Sequence, residues 1–175
     1  GGGLGFSRLV ETPVVRAKRN RRAKLPDFFE TQQRIGLASP RFLEALRDFG
    51  VQYFEQRPIS FTSDSDADFY GYVFFDVTTL VDVYDYDRCQ VEAVNRSGVI
   101  SVHLGRCRSL RKDLDPALHL FRDCYNSDPI LISRELARFL KARNIEGLYV
   151  TDPASNEDAF WHEELAAMPK EIDEP

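Results

Sequence analysis

Phe42, Leu43, Leu46 and Phe49 stand at i, i+1, i+4 and i+7, one face of an α-helix. Ser39-Pro40 opens that run: a serine hydroxyl can accept an orphan amide, and proline fits the first helical position. Gly50 closes it, because glycine adopts the left-handed stop without a Cβ penalty. The short apolar run Ile35-Gly36-Leu37-Ala38 precedes the helix, and Val51, Tyr53 and Glu55 alternate after it as a strand begins. Pro58 confines that strand to an edge, an end or a bulge.

A second stretch repeats the design. Ile130-Leu131-Ile132 is the apolar run and Ser133 the cap; Leu136, Phe139, Leu140 and Arg143 mark the helix. Asn144 stands where Gly50 stood, and Leu148-Tyr149-Val150 reads as a strand. Gly50 stands eleven positions after Ser39, and Asn144 eleven positions after Ser133. Two copies of one unit are expected: strand, Ser-capped short helix, tight stop, strand. Two copies are too few for a solenoid.

Between the copies the sequence is β-rich. Strands are expected over Tyr70–Val77, Thr79–Val83, Gly98–Leu104 and Leu118–Cys124, with turns at Asn95–Gly98 and Asn126–Pro129. Residues 156–168 suggest a terminal helix carrying Phe160, Trp161 and Leu165. The fold class expected is α+β: a central, mostly antiparallel sheet with two or three short helices on one face or at its ends. No strict βαβα alternation supports a doubly wound parallel sheet. Residues 25–168 are expected as one domain, between a basic, flexible segment 1–24 and a short acidic end 169–175.

Charge sharpens this division. Of the 175 residues, the first 24 hold seven Lys or Arg against Glu11, a net +6, so the remaining 151 carry −11 of the total −5. The stretch RAKRNRRAK at 16–24 has the composition of a nucleic-acid arm, but the body behind it is acidic and repels phosphates. Nucleic acid is therefore not the expected partner. The apolar runs fall far short of the ~20 residues that cross a bilayer. No secretory h-region is visible, and Cys89, Cys107 and Cys124 form neither a CxxC pair nor an even disulfide set, so a reducing, cytoplasmic setting is expected.

Most catalytic signatures fail. Gly1–Gly5 lacks the Lys-Ser/Thr and the preceding strand of a phosphate loop, and no G-x-S-x-G elbow occurs. His103, His119 and His162 form no HxxxH or HExxH pair. No cofactor motif is present. The informative stretch is 61–87, with seven acids and no base. Asp64, Asp66 and Asp68 occupy positions 1, 3 and 5 of a calcium loop, but the sixth position is Phe69 and the twelfth Phe75, so the EF-hand pattern fails. Asp82, Asp85 and Asp87 follow, interleaved with Tyr84 and Tyr86; Tyr70 lies between. As a strand, Asp85 and Asp87 would face away from Tyr84 and Tyr86. The stretch reads as a solvated rim, as a partner-binding surface, or as a divalent-metal site. Tyrosine is enriched at interfaces and carboxylates steer a basic partner. Asp64, Asp66, Asp68, Tyr70, Asp82, Tyr84, Asp85, Tyr86 and Asp87 are the candidate contact residues. The alternative is a small metal- or nucleotide-binding enzyme domain using the same carboxylates.

Four segments together resemble the bacterial polymorphic-toxin immunity group known as immunity protein 11. They are Leu25-Pro26-Asp27; IGLASPRFLEAL leading to VQYFEQRPI; YGYVFFDVTTLVDVYDYDRCQV; and HLFRD followed by ILISRELARFLKARNIEGLYV. They cover roughly residues 25–150. One position departs: Cys89 stands where the family would show serine. The resemblance implies a cytoplasmic non-enzyme that binds a cognate toxin domain and blocks it. It implies no shared catalytic residues. Toxic nucleases are commonly basic, so an acidic strip could mimic their polyanionic substrate and speed association by steering.

Overall fold

The computed structural model describes residues 5–7, 11–15, 25–31, 35–61, 70–89, 91–96, 99–104, 109–127 and 129–150. The chain divides into two compact units: residues 1–83 with 114–148, and residues 84–113 with 149–175. Its class is α+β.

The first unit holds β1 (Val14–Val15), β2 (Phe28–Glu30), β3 (Gly36–Ala38), α1 (Pro40–Asp48), β4 (Glu55–Pro58), β5 (Ser60–Phe61), β6 (Val73–Asp76) and β7 (Leu80–Val81). Two elements of the second unit follow, β8 (Val91–Arg96) and β9 (Val99–Leu104). The chain then returns to the first unit for β10 (Leu120–Asp123), β11 (Leu131–Ile132) and α2 (Arg134–Ala142). Four strands in the order β2-β3-β6-β4 form an antiparallel sheet. A three-stranded sheet, β11-β10-β7, pairs β10 antiparallel with β11 and parallel with β7. β1 lies parallel to β5. Pro58 ends β4 at the sheet edge, where a missing N–H breaks no inner ladder.

The repeat expected from the cap spacing is present through the stop, with one further strand before each helix, but among the described residues its closing strand is lacking in the second copy. Each copy is a ββα unit. Phe28 pairs with Ala38 just before Ser39, and Leu120 pairs with Ile132 just before Ser133. Ser39 Oγ accepts from the Phe42 amide and Ser133 Oγ from the Leu136 amide, both at 3.1 Å. Both helices run nine residues. Phe42 and Leu46 bury the inner face of α1, Leu136 and Leu140 that of α2. Gly50 (φ +92°) and Asn144 (φ +53°) make the same left-handed stop, and the next amides, Val51 and Ile145, reach back to Leu46 O and Leu140 O. The copies part after the stop. Leu148-Tyr149-Val150, expected as a strand, is irregular backbone. Glu146 O instead accepts the Phe28 amide at the edge strand β2.

Strand alternation gives the four-stranded sheet two apolar faces. Ala38 and Phe75 face the helices, where Phe28, Phe42 and Phe75 close a ring triangle with centroids 5.3–5.9 Å apart. Leu37 and Phe74 face the other way and are covered by Phe6, whose ring stacks on Phe74 at 6.0 Å. Segment 5–7 is tied there by its backbone: Asp76 Oδ2 accepts the Gly5 amide at 3.0 Å, Glu55 Oε2 the Phe6 amide at 2.8 Å, and Arg57 Nη1 donates to Phe6 O.

In the second unit β8 and β9 form an antiparallel hairpin with register from Val91↔Leu104 to Arg96↔Val99. Tyr84 makes a separate antiparallel bridge to Leu110. The segment after Asp85 turns, with the amides of Arg88 and Cys89 bonded back to Asp85 O, so the strand alternation considered for residues 84–87 does not hold there. The expected terminal helix at 156–168, the acidic end 169–175 and the basic stretch 16–24 lie outside the described residues.

Candidate interaction surface

The polar side chains buried in the first unit are engaged by the fold. Asp27 is 8% exposed; its carboxylate accepts from Ser39 Oγ (2.9 Å), Arg41 Nη1 (3.0 Å) and the Glu146 amide (2.9 Å). It therefore joins the α1 cap to the chain leaving α2. Arg41 adds to the joint through its other nitrogen, which donates to the carbonyls of Arg143 and Asn144. Tyr72 donates to Pro26 O nearby; burial, with the negative charges of Asp27 and Glu146, raises its phenol above the ordinary range. Arg122, 4% exposed, donates to Val77 O (3.2 Å), Ser127 O (2.6 Å) and Asp76 Oδ1 (3.1 Å). Asp123 accepts from the amides of Val83, Tyr125 and Asn126.

The expected contact residues fall in different settings. Asp64, Asp66 and Asp68 lie outside the described residues. Tyr70, in a turn with Gly71, is 89% exposed. Asp82, half-buried, follows β7; its carboxylate, that of Asp123 and the Cys124 thiol have ligand atoms within 4.8 Å of one another. This trio is poorly suited to a metal ion: the Asp123 oxygens already take three amides, and burial with the charges of Asp123 and Asp82 raises the Cys124 thiol. Tyr84, in the second unit, is 1% exposed and offers no surface. Its ring meets that of half-buried Tyr86 edge-on at 6.3 Å. Asp85 is half-buried beside Arg88 (3.8 Å), and Asp87 is exposed on the turn. Asp82 and Tyr70 belong to the first unit, and residues 84–87 to the second.

Other chemistry-bearing groups have structural partners. His119 Nδ1 lies 2.9 Å from Ser133 Oγ, and its ring meets Phe49 edge-on at 4.9 Å. Cys89 Sγ accepts the Ser109 amide (3.3 Å) and reaches Ser109 O (3.6 Å), holding the 85–89 turn to residue 109. An open groove of about 470 Å³ runs between Phe6, Ser7 and Thr12 on one side and Glu55–Pro58 on the other. Its Glu55 and Arg57 already grip the Phe6 backbone.

The profile of the immunity protein family (Imm11) matches residues 2–155. The chain belongs to that immunity protein family. No curated protein matches it closely enough to serve as a relative.

The segments that carried the resemblance now have physical roles in this Imm11 chain. Asp27 of Leu25-Pro26-Asp27, Arg122 and Asp123 of HLFRD, and Asp76 of the central stretch are the buried locks described above. Gly147, in the closing segment, has φ +91°, and a Cβ there would stand 1.9 Å from Phe28 O. Cys89 Sγ makes two bonds to the Ser109 backbone, one as acceptor and one as donor. Among the described residues, sequence reasoning missed three exposed tyrosines, Tyr53 (70%), Tyr125 (61%) and Tyr149 (62%). The available signal for Tyr125 was its place beside the Asn126–Pro129 turn, since turns display their flanks. Among the described residues no helix is long and apolar enough to cross a membrane.

Proposed function

We propose that this Imm11 chain binds a cognate toxin domain in the cytoplasm and neutralises it by protein–protein contact, without a catalytic step of its own. The family match over residues 2–155 carries this reading. The engagement of Asp27, Asp76, Arg122 and Asp123 by the fold supports it, because the motif residues serve the framework and leave recognition to the surface. The residues we assign to toxin contact are Asp64, Asp66, Asp68, Tyr70, Asp82, Asp85, Tyr86 and Asp87; Tyr84 is buried and meets the Tyr86 ring edge-on. A basic, nuclease-like toxin domain suits that strip, whose carboxylates steer association.

Tagged protein pulled from its native cytosol should retain one toxin-bearing polypeptide in stoichiometric amount, identified by mass spectrometry. Retention of no such polypeptide contradicts the reading. With the retained toxin domain, Asp85→Lys with Asp87→Lys should slow association severalfold at low salt and leave the circular dichroism unchanged. An unchanged association rate would remove these two residues from the surface.

A further inference from the structure

We propose that the outward face of α2 is a second docking surface, one that takes an acidic helical segment of a partner protein. The duplicated ββα unit supplies the comparison. The cap serines Ser39 and Ser133 put the two helices in register, so that Pro40, Arg41, Glu44, Arg47 and Asp48 of α1 correspond to Arg134, Glu135, Arg138, Lys141 and Ala142 of α2. All ten are exposed. The inner faces do the same job in both copies, with Phe42 and Leu46 matched by Leu136 and Leu140. The outer faces differ: α1 balances two bases with two acids, whereas α2 has three bases and one acid. The framework therefore accepts a neutral face at these positions and does not itself require the basic one.

The bases are also aligned. Arg134, Arg138 and Lys141 stand at i, i+4 and i+7, a single stripe about 10 Å long. Glu135 lies at the flank of that stripe; its own backbone amide, the Ser133 hydroxyl and the charges of His119 and Arg138 hold its carboxyl below the usual range, so it offsets part of the stripe's charge. Arg143, just beyond, pairs with Asp48 and lies over the Phe139 ring. A basic stripe on a body of net −11 attracts carboxylates locally, whereas a long polyanion meets repulsion from the rest of that body. Three charges at helical spacing match Asp or Glu at i, i+4 and i+7 of a partner helix. This surface carries the opposite charge to the 64–87 strip and does not depend on that strip touching anything.

The test uses the full chain and a fluorescent synthetic helical peptide bearing Glu at i, i+4 and i+7, read by anisotropy at low salt. Saturable binding is expected. Arg138→Glu with Lys141→Glu should weaken it about tenfold, and Glu44→Gln on α1 should leave it unchanged. Circular dichroism of each variant should be that of the parent, since the substituted positions face solvent. Equal binding by the double variant, equal binding of a peptide of the same composition with its glutamates scrambled, or no binding at all would overturn the proposal. Tighter binding of a DNA duplex of similar length would also overturn it, in favour of a phosphate-binding face.

Discussion

Gly50 and Gly147 share one backbone conformation, φ +92° and +91°, in different surroundings. Alanine at either position meets the left-handed penalty, about 1–2 kcal/mol. At Gly50 nothing lies within 4 Å of the added Cβ, so that penalty is the whole cost. At Gly147 the Cβ would stand 1.9 Å from Phe28 O and 2.6 Å from the Pro26 Cβ. Backbone must move, and the adjacent Phe28 N–H to Glu146 O bond is in its path. Losing that bond adds about 1 kcal/mol and displacing the buried Phe28 ring more, for a total of at least ~3–4 kcal/mol. Thermal unfolding followed by circular dichroism measures both variants on one scale. At about 2–4 °C per kcal/mol, Gly147→Ala should melt roughly 5 °C or more below Gly50→Ala. Gly50→Asn should cost less than Gly50→Ala, since Asn144 already holds the matching stop at φ +53°. Equal losses for the two alanine variants would refute the packing of the post-α2 chain against β2.

Arg122→Met should cost about 3–5 kcal/mol in the same unfolding assay, because it removes the cation that faces the Asp76 carboxylate in a site only 7% exposed; a loss under 1 kcal/mol would contradict the buried pair. Cys124 has its thiol raised by part burial and by the charges of Asp123 and Asp82. A raised thiol holds less thiolate at a given pH, so its alkylation by iodoacetamide, followed by mass spectrometry, should rise at higher pH than that of free cysteine. Asp82→Asn should move the curve back toward the ordinary range, and no movement would exclude that carboxylate as a contributor.

Local signals placed the helices well. Serine caps, a 3.6-residue apolar period and left-handed stops are set within a dozen residues, and both helices begin directly after the expected serines. Leu148–Val150 misled because its residues favour strands while no strand pairs with them among the described residues; pairing is a long-range property. β8 was missed for the opposite reason: Glu92, Ala93 and Asn95 are weak strand formers, and the hairpin partner Val99–Leu104 stabilises them. The acidic strip was legible as composition but not as geometry. The turn after Asp85 and the burial of Tyr84 depend on Ser109 and Leu110, about 25 residues away. The charge contrast between α1 and α2 was in the sequence throughout, but it became readable only once the shared caps fixed the register of the two helices.

Neutralisation by contact can be read from growth. The toxin domain retained by this chain would be expressed alone and then together with it in a host lacking both. Growth should be arrested with the toxin domain alone and restored by co-expression. Continued arrest despite soluble, folded protein in the same cells would contradict neutralisation by contact.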